Sequence, residues 1–263
     1  MANTLHSLSR SAANNKSDVL KGTPHDDVLH GSLGHTTFYG GLGDDIYYSK
    51  NADDTIVEYA NEGNDTVYAD TTFTLPTHVE NLTLEGNGNT FGFGNNSNNI
   101  LIGNSGNNRL SGEEGNDFLY GVGGNDTLSG GNGNDHLNGG DGDDYLAGGL
   151  GSDTIITGAG RDTVAFTAAD IREGSIDRLL DFNPETDKLD LSGMRSLLTD
   201  SNTNLSWSKM FVDKDPEVIL QKDHPYLIFD TEQQTLAYRA AGSSSSTVFA
   251  KFDSDDPSKW LDA

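Results

Sequence analysis

Between Gly94 and Ala165 an aliphatic residue stands at every ninth position, as Leu101, Leu110, Leu119, Leu128, Leu137, Leu146, Ile155 and Val164. Most positions between them are glycine or polar. A nine-residue period fits neither a helical repeat nor the simple alternation of a single strand, so the chain must complete one structural step per nine residues. Roughly six residues turn and roughly three form a short strand whose apolar side chain points inward. A single unit cannot bury that side chain alone. Stacked units can, as a ladder of aliphatic residues between two layers of strand.

Each unit fits GGxGxDxUx, with U the apolar residue, and the eight units start at Gly94, Gly103, Gly112, Gly121, Gly130, Gly139, Gly148 and Thr157. The fourth position is glycine in every unit but the first, which has Ser97; it is Gly115, Gly124, Gly133, Gly142, Gly151 and Gly160 in the acidic units. Gly131, Gly140, Gly149 and Gly158 add a second-position glycine. So tight a turn needs residues that reach positive φ without a Cβ clash. The sixth position is Asn99, Asn108, then Asp117, Asp126, Asp135, Asp144, Asp153 and Asp162.

Two units per coil place residues 18 apart above one another, about 4.8 Å away at the usual strand spacing. The acids then form two columns, one of Asp117, Asp135 and Asp153 and one of Asp126, Asp144 and Asp162. Neighbouring carboxylates in a column repel by about 3 to 4 kcal/mol at an effective dielectric near 20. A core of single aliphatic residues can hardly offset that, so the roll is expected to be unstable without a counter-ion. A divalent cation between turns reverses the sign. Carboxylates together with turn carbonyl oxygens, drawn from Gly112, Gly115, Gly121, Gly124, Gly130, Gly131, Gly133, Gly139, Gly140, Gly142, Gly148, Gly149, Gly151, Gly158 and Gly160, form a hard all-oxygen ligand set. Such a set suits calcium better than zinc or copper. Asn99 and Asn108 offer an oxygen without a charge and are expected to bind weakly or not at all.

At these residues the chain resembles the repeats-in-toxin (RTX) family of calcium-binding β-roll proteins. The resemblance implies an all-β fold, a right-handed parallel β-roll, calcium between its turns, and export by the one-step type I secretion machinery. Roughly five to eight calcium ions are expected.

Residues 1–21 are polar and rich in serine and asparagine, which predicts a disordered or loosely attached lead. Residues 22–57 carry a weaker array with Asp27 and Asp45 in phase, Thr36 at the acid position between them, and Asp54 in a unit lacking glycine. The best early calcium site is expected to use Asp27 and Asp45. After a two-residue slip the phase returns at Gly63-Asn64-Asp65-Thr66-Val67, and residues 58–93 then read as a strand-like connector with Val79, Leu82 and Leu84 apolar. Residues 94–165 form the main roll.

From Phe166 onward ordinary globular sequence predicts a β-rich cap over 166–263 that closes the open end of the roll. Ile176 to Leu191 reads as strand, Asn-Pro turn, strand, and is similar to the segment after the roll in serralysin-type proteases and alginate epimerase modules. Met194 to Leu198 reads as one or two helical turns, Tyr226 to Tyr238 as a hairpin and Thr247 to Phe252 as a strand. In the family this region also holds an uncleaved export signal. The ending FDSDDPSKWLDA departs from the one expected of serralysins.

Composition narrows the partners. Sixteen basic against 41 acidic residues give a net charge of −25, which argues against nucleic acid and anionic membranes. No cysteine is present, so disulfides and thiolate sites are excluded. Neither an N-terminal apolar signal nor a segment long and apolar enough to span a bilayer occurs. Neither HExxH nor GxSxG occurs, which removes the zinc protease and the lipase elbow that accompany rolls elsewhere. His25, His30 and His35 lie five apart and either converge on a metal or sit separately on turns. Trp207 and Trp260 either stack on a sugar or anchor packing.

The expected function is that of a secreted, extracellular calcium-binding protein without N-terminal signal peptide, which folds on calcium and performs no catalysis. A second reading is an alginate-like polysaccharide-binding module, whose main roll would offer Arg109, Arg161, Tyr120 and Tyr145. A third is a non-catalytic part of a larger RTX enzyme or adhesin; the initiating Met favours a free-standing chain.

Overall fold

The structure, a computed structural model, describes residues 6–9, 18–173, 175–194, 197, 211–212, 226–230, 233–240, 243 and 245–253. Parallel strands wind into a β-solenoid of about 8 turns, and helix accounts for only 3% of the chain. In the main roll the apolar eighth positions Leu101, Leu110, Leu119, Leu128, Leu137, Leu146, Ile155 and Val164 are all fully buried. They form two ladders. Leu101, Leu119, Leu137, Ile155 and Leu179 stack in register on one face. Leu110, Leu128, Leu146 and Val164 stack on the other. Each side chain thus meets the two above and below it and the opposite ladder, the only arrangement that hides single aliphatic residues from water.

One face is continuous. A sheet of 14 strands begins with His6–Ser9, Asp27–His30, Ile46–Ser49 and Thr66–Ala69, passes through Asn81–Leu84, and runs on through the main roll. The opposite face is broken into a 3-stranded sheet, from Asp18–Lys21 to Thr55–Val57, and a 7-stranded sheet that starts at Phe73–Thr74. The break lies where the coil length changes. Ile46 pairs with Thr66, 20 residues on, but Thr66 pairs with Asn81 only 15 residues on. The shorter coil has too little chain for a full second-face strand, and Pro76 brings no N–H to a ladder. Val67, Val79, Leu82 and Leu84 nevertheless keep the core filled through this stretch.

Of residues 1–21 the structure describes 6–9 and 18–21, and both stretches are strands of the solenoid rather than loose chain. His6–Ser9 pairs in parallel with Asp27–His30, and Asp18–Lys21 with Thr36–Tyr39. Asp18-Val19-Leu20 repeats the acid, spacer, aliphatic order of a roll unit, and Leu20 is buried, so the coil begins before the first glycine.

The stacking also continues past Ala165. Asp177–Leu179 and Lys188–Gly193 each extend a sheet, through a longer coil in which Thr154 pairs with Arg178 and Thr163 with Lys188. The extra residues hold a short helix, Ala168–Glu173, which follows Thr167, whose hydroxyl accepts the Ala169 amide at 3.2 Å. Thr247–Phe252 then adds in parallel to Asp177–Leu179 and pairs antiparallel with Thr235–Arg239, which in turn pairs antiparallel with Tyr226–Asp230. Phe249 and Phe252 carry the core into this end, edge-on to Phe166 and Phe182. At Met194 to Leu198 the described part is one turn, the Leu197 amide donating to Met194 O at 2.9 Å. Trp207, Trp260 and residues 254–263 lie outside the described residues.

Candidate metal centre

The strand positions bring the acids of alternate units into line. The Asn99 amide donates to Asp117 Oδ1 at 2.7 Å, the Asp117 amide to Asp135 Oδ1 at 2.8 Å, and the Asp135 amide to Asp153 Oδ1 at 2.8 Å. The second column repeats this through Asn108, Asp126, Asp144 and Asp162 at 2.7, 2.7 and 2.8 Å. Each carboxylate therefore ties the preceding coil through one oxygen. The other oxygen, Oδ2, is buried without a hydrogen-bond partner in Asp117, Asp126, Asp135, Asp144 and Asp162. A charged oxygen withdrawn from water and left unpaired is costly.

What faces those oxygens is main chain. A Cβ built on Gly112 would clash with both Asp117 Oδ2 and the Gly130 carbonyl, and one on Gly121 with Asp126 Oδ2 and the Gly139 carbonyl. Gly130 and Gly139 stand in the same relation to Asp135 with the Gly148 carbonyl, and to Asp144 with the Thr157 carbonyl. First-position glycines thus keep a cradle open between a carboxylate and a carbonyl of the next coil. Fourth-position glycines do a separate job: Gly133, at φ 136°, lies so close to the Gly115 carbonyl that no side chain fits.

Burial raises the column carboxyls. Asp117 and Asp126 are pushed up to about 7 and Asp135 and Asp162 to about 6, mainly by loss of water; the amide each receives pulls the other way. Asp144 is raised for the same reason. Repulsion from the neighbouring acid adds to burial for Asp117, Asp126 and Asp162, but as a smaller cause.

Among the described residues no three histidine, cysteine, aspartate or glutamate side chains converge as a metal-holding group. An ion in the roll must therefore take main-chain oxygens as well as carboxylates, which is the hard donor set of calcium. Bound there, calcium supplies the positive charge that the unpartnered Oδ2 atoms lack.

The units differ in how far they meet this pattern. In the first two, Asn99 and Asn108 take the acid position, and their Nδ2 atoms donate to carbonyls of the coil before, Glu80 at 3.1 Å and Thr90 at 3.3 Å. Their oxygens are also satisfied, Asn99 Oδ1 accepting the Asn95 amide at 2.7 Å and Asn108 Oδ1 the Asn104 amide at 2.7 Å. In the last unit Thr157 replaces the cradle glycine, and Asp181 accepts from the Thr157 amide at 2.7 Å and the Gly158 amide at 3.0 Å. In the first array the Asp27 amide donates to Asp45 Oδ1 at 2.8 Å. Asp45 is raised to about 7, chiefly by burial. The facing pair, Thr36 and Asp54, leaves no such oxygen: Asp54 Oδ2 accepts from Ser49 Oγ at 2.8 Å and from the Lys50 and Asn51 amides.

The histidines stay apart. His30 stacks on Tyr48 at 4.5 Å, and His35 Nδ1 is 2.5 Å from the Asp53 carbonyl. Of the polysaccharide candidates, Arg161 is paired with Asp143 at 2.8 Å and the Tyr145 hydroxyl donates to Asp190 at 3.1 Å.

Asp65, which the sequence placed in phase, and Asp177 and Asp187, which it did not single out, complete the columns. The Asp45 amide donates to Asp65 Oδ1 at 2.8 Å, the Asp153 amide to Asp177 Oδ1 at 2.9 Å, and the Asp162 amide to Asp187 Oδ1 at 3.2 Å. Asp65 and Asp177 are both raised to about 8, first by burial. The signal was present: Asp65-Thr66-Val67, Asp177-Arg178-Leu179 and Asp187-Lys188-Leu189 each keep the acid two residues before an aliphatic. A further ladder uses the fifth position, where Asn98 Oδ1 accepts the Asn116 amide at 2.8 Å and Asn116 Oδ1 accepts the Asn134 amide at 2.7 Å.

Stacked parallel coils, buried acid columns and open glycine cradles together define a metal-binding β-roll. Residues 21–56, 93–128 and 129–164 match the family of the RTX calcium-binding nonapeptide repeat (4 copies), and this chain carries those repeats. The repeats and the stacked coils together support calcium binding by this chain. No match to a curated protein was found for the chain.

Proposed function

We propose that this calcium-binding roll is exported by a type I transporter, acts outside the cell, folds only when calcium is available, and carries no catalysis of its own. The observation that supports it is the set of buried, unpartnered Oδ2 atoms on Asp117, Asp126, Asp135, Asp144 and Asp162. Where calcium is scarce, ionising them opposes compaction, and a chain of net charge −25 stays expanded and easy to thread. Where calcium is plentiful, binding to the folded form alone stabilises it. The aromatic-rich strands after Phe166 offer a ready-made end on which the coils can stack. The absence of HExxH and GxSxG supports a non-catalytic role.

The test is far-ultraviolet circular dichroism of the full chain in chelator and in millimolar calcium. At about pH 8, where the acids are ionised, strand signal is expected to appear only with calcium, and equal spectra would defeat the reading. Export is tested by co-expression with a type I transporter, with medium and cell fractions compared.

A further inference from the structure

The coil that slips by two residues holds a group of side chains that the repeat does not contain. In regular units the oxygen facing the first-position glycine comes from the main chain 18 residues on: Gly40 O for Gly22, Gly112 O for Gly94, Gly130 O for Gly112. For Gly40 the residue 18 on is Glu58, and the oxygen in that place is its side-chain Oε1. Asp45 Oδ2 and the Tyr47 hydroxyl crowd the same point.

The cause is local. Two added residues lengthen this coil to 20, Asn61 turns with φ 65°, and the Gly43 amide donates to Glu62 O at 2.7 Å. The Glu58 side chain reaches back instead. Its Oε1 accepts the Gly40 amide at 3.0 Å and a hydrogen bond from the Tyr47 hydroxyl. Glu58 is 7% exposed and Asp45 1%, yet Glu58 Oε2 and Asp45 Oδ2 have no hydrogen-bond partner. Neither takes part in the two ion pairs found among the described residues.

We propose that Asp45 and Glu58, with the Tyr47 hydroxyl beside them, form a cation site of calcium type in which a glutamate side chain replaces the repeat's backbone carbonyl. It rests on the calcium reading of the columns and extends it to a residue outside the matched repeats. Exchanging a carbonyl dipole for a carboxylate adds a full negative charge, and ligand charge is what tunes such sites towards tighter binding. This site therefore fills before those of the main roll.

The test uses the full chain, calorimetric calcium titration, and terbium as a luminescent calcium substitute excited through tyrosine. Glu58→Gln keeps the size and the acceptor for Gly40 and removes the charge. It is expected to weaken the tightest binding step about tenfold or more and to leave the later steps unchanged. Tyr47→Phe is expected to remove most of the terbium emission at the first equivalent. If Glu58→Gln binds calcium as the parent does, Glu58 is only a partner for Tyr47 and the proposal is overturned. Should Glu58→Gln not reach the parental strand signal in calcium, the Tyr47→Phe emission decides, and unchanged first-equivalent emission overturns it. A parent chain that binds no calcium at all would instead remove the wider reading.

Discussion

The Asp117 amide donates to Asp135 Oδ1 at 2.8 Å, and Asp135 Oδ2 has no partner. One carboxylate thus does two things: it fastens the coil before it and holds out a charge that nothing in the protein neutralises. The first role explains why the acid recurs at one phase, since each loses a coil-to-coil bond if moved. The second explains the demand for an ion. Burial, more than repulsion between neighbouring acids, raises Asp117 and Asp126, so it is the dry site and not the crowding that makes the ionised column costly.

Acidity should trade with calcium. With the folded carboxyls at about 6 to 7 against an ordinary 3.8, the metal-free fold holds protons that the unfolded chain has released. Its stability is fully present below the unfolded value and is lost as pH rises through the folded values. Chelated protein is expected to keep more strand signal near about pH 5 than near about pH 8. Calcium needs the ionised form, so its midpoint concentration should fall over the same rise in pH. A pH-independent midpoint in a dichroism titration would contradict this.

Asp135→Ala removes an ion ligand and also strands the buried Asp117 amide, at a cost of about 1 to 3 kcal/mol. Asn99→Asp is the converse change. It deletes the donor to the Glu80 carbonyl at 3.1 Å and adds a charge. At low calcium it should lower the urea midpoint, and at saturating calcium it should restore it and increase the ions bound. Calorimetry and urea unfolding under both conditions check the pair.

Gly130→Ala tests the cradle without changing any charge. The φ of Gly130 is not in the left-handed region, but its Cβ would clash with Asp135 Oδ2 and the Gly148 carbonyl. Loss of an ion from the calorimetric count is expected, with the remaining ones retained. An unaltered count would show that the ion does not sit against Gly130.

Val122 sits at φ 82°, where Gly131, Gly140, Gly149 and Gly158 take the equivalent place. A β-branched residue is strained there. Val122→Gly is expected to stabilise the calcium-loaded roll by about 1 kcal/mol, after the greater chain entropy of glycine is set against the strain released. Thermal unfolding in saturating calcium measures it, and a lower midpoint would refute it.

The period of nine was enough to place Leu101 to Val164 in two ladders, because an inward side chain every nine residues has no other way to leave water. It was also enough to align Asp117 with Asp135 and Asp126 with Asp144. What it could not reach were the irregular coils. Asp177 and Asp187 join the columns across steps of 24 and 25 residues, lengths that no fixed period reveals.

By itself, then, the sequence determined the repeat, the inward aliphatics and the acid phase, because these depend only on spacing along the chain. The tertiary structure alone decided that residues 18–21 are already in the solenoid, that one face is unbroken while the other is split, and that Glu58 turns into the roll. Those outcomes depend on how much chain each coil must accommodate and on which oxygen can reach a vacated place, and such distances exist only once the coils are stacked.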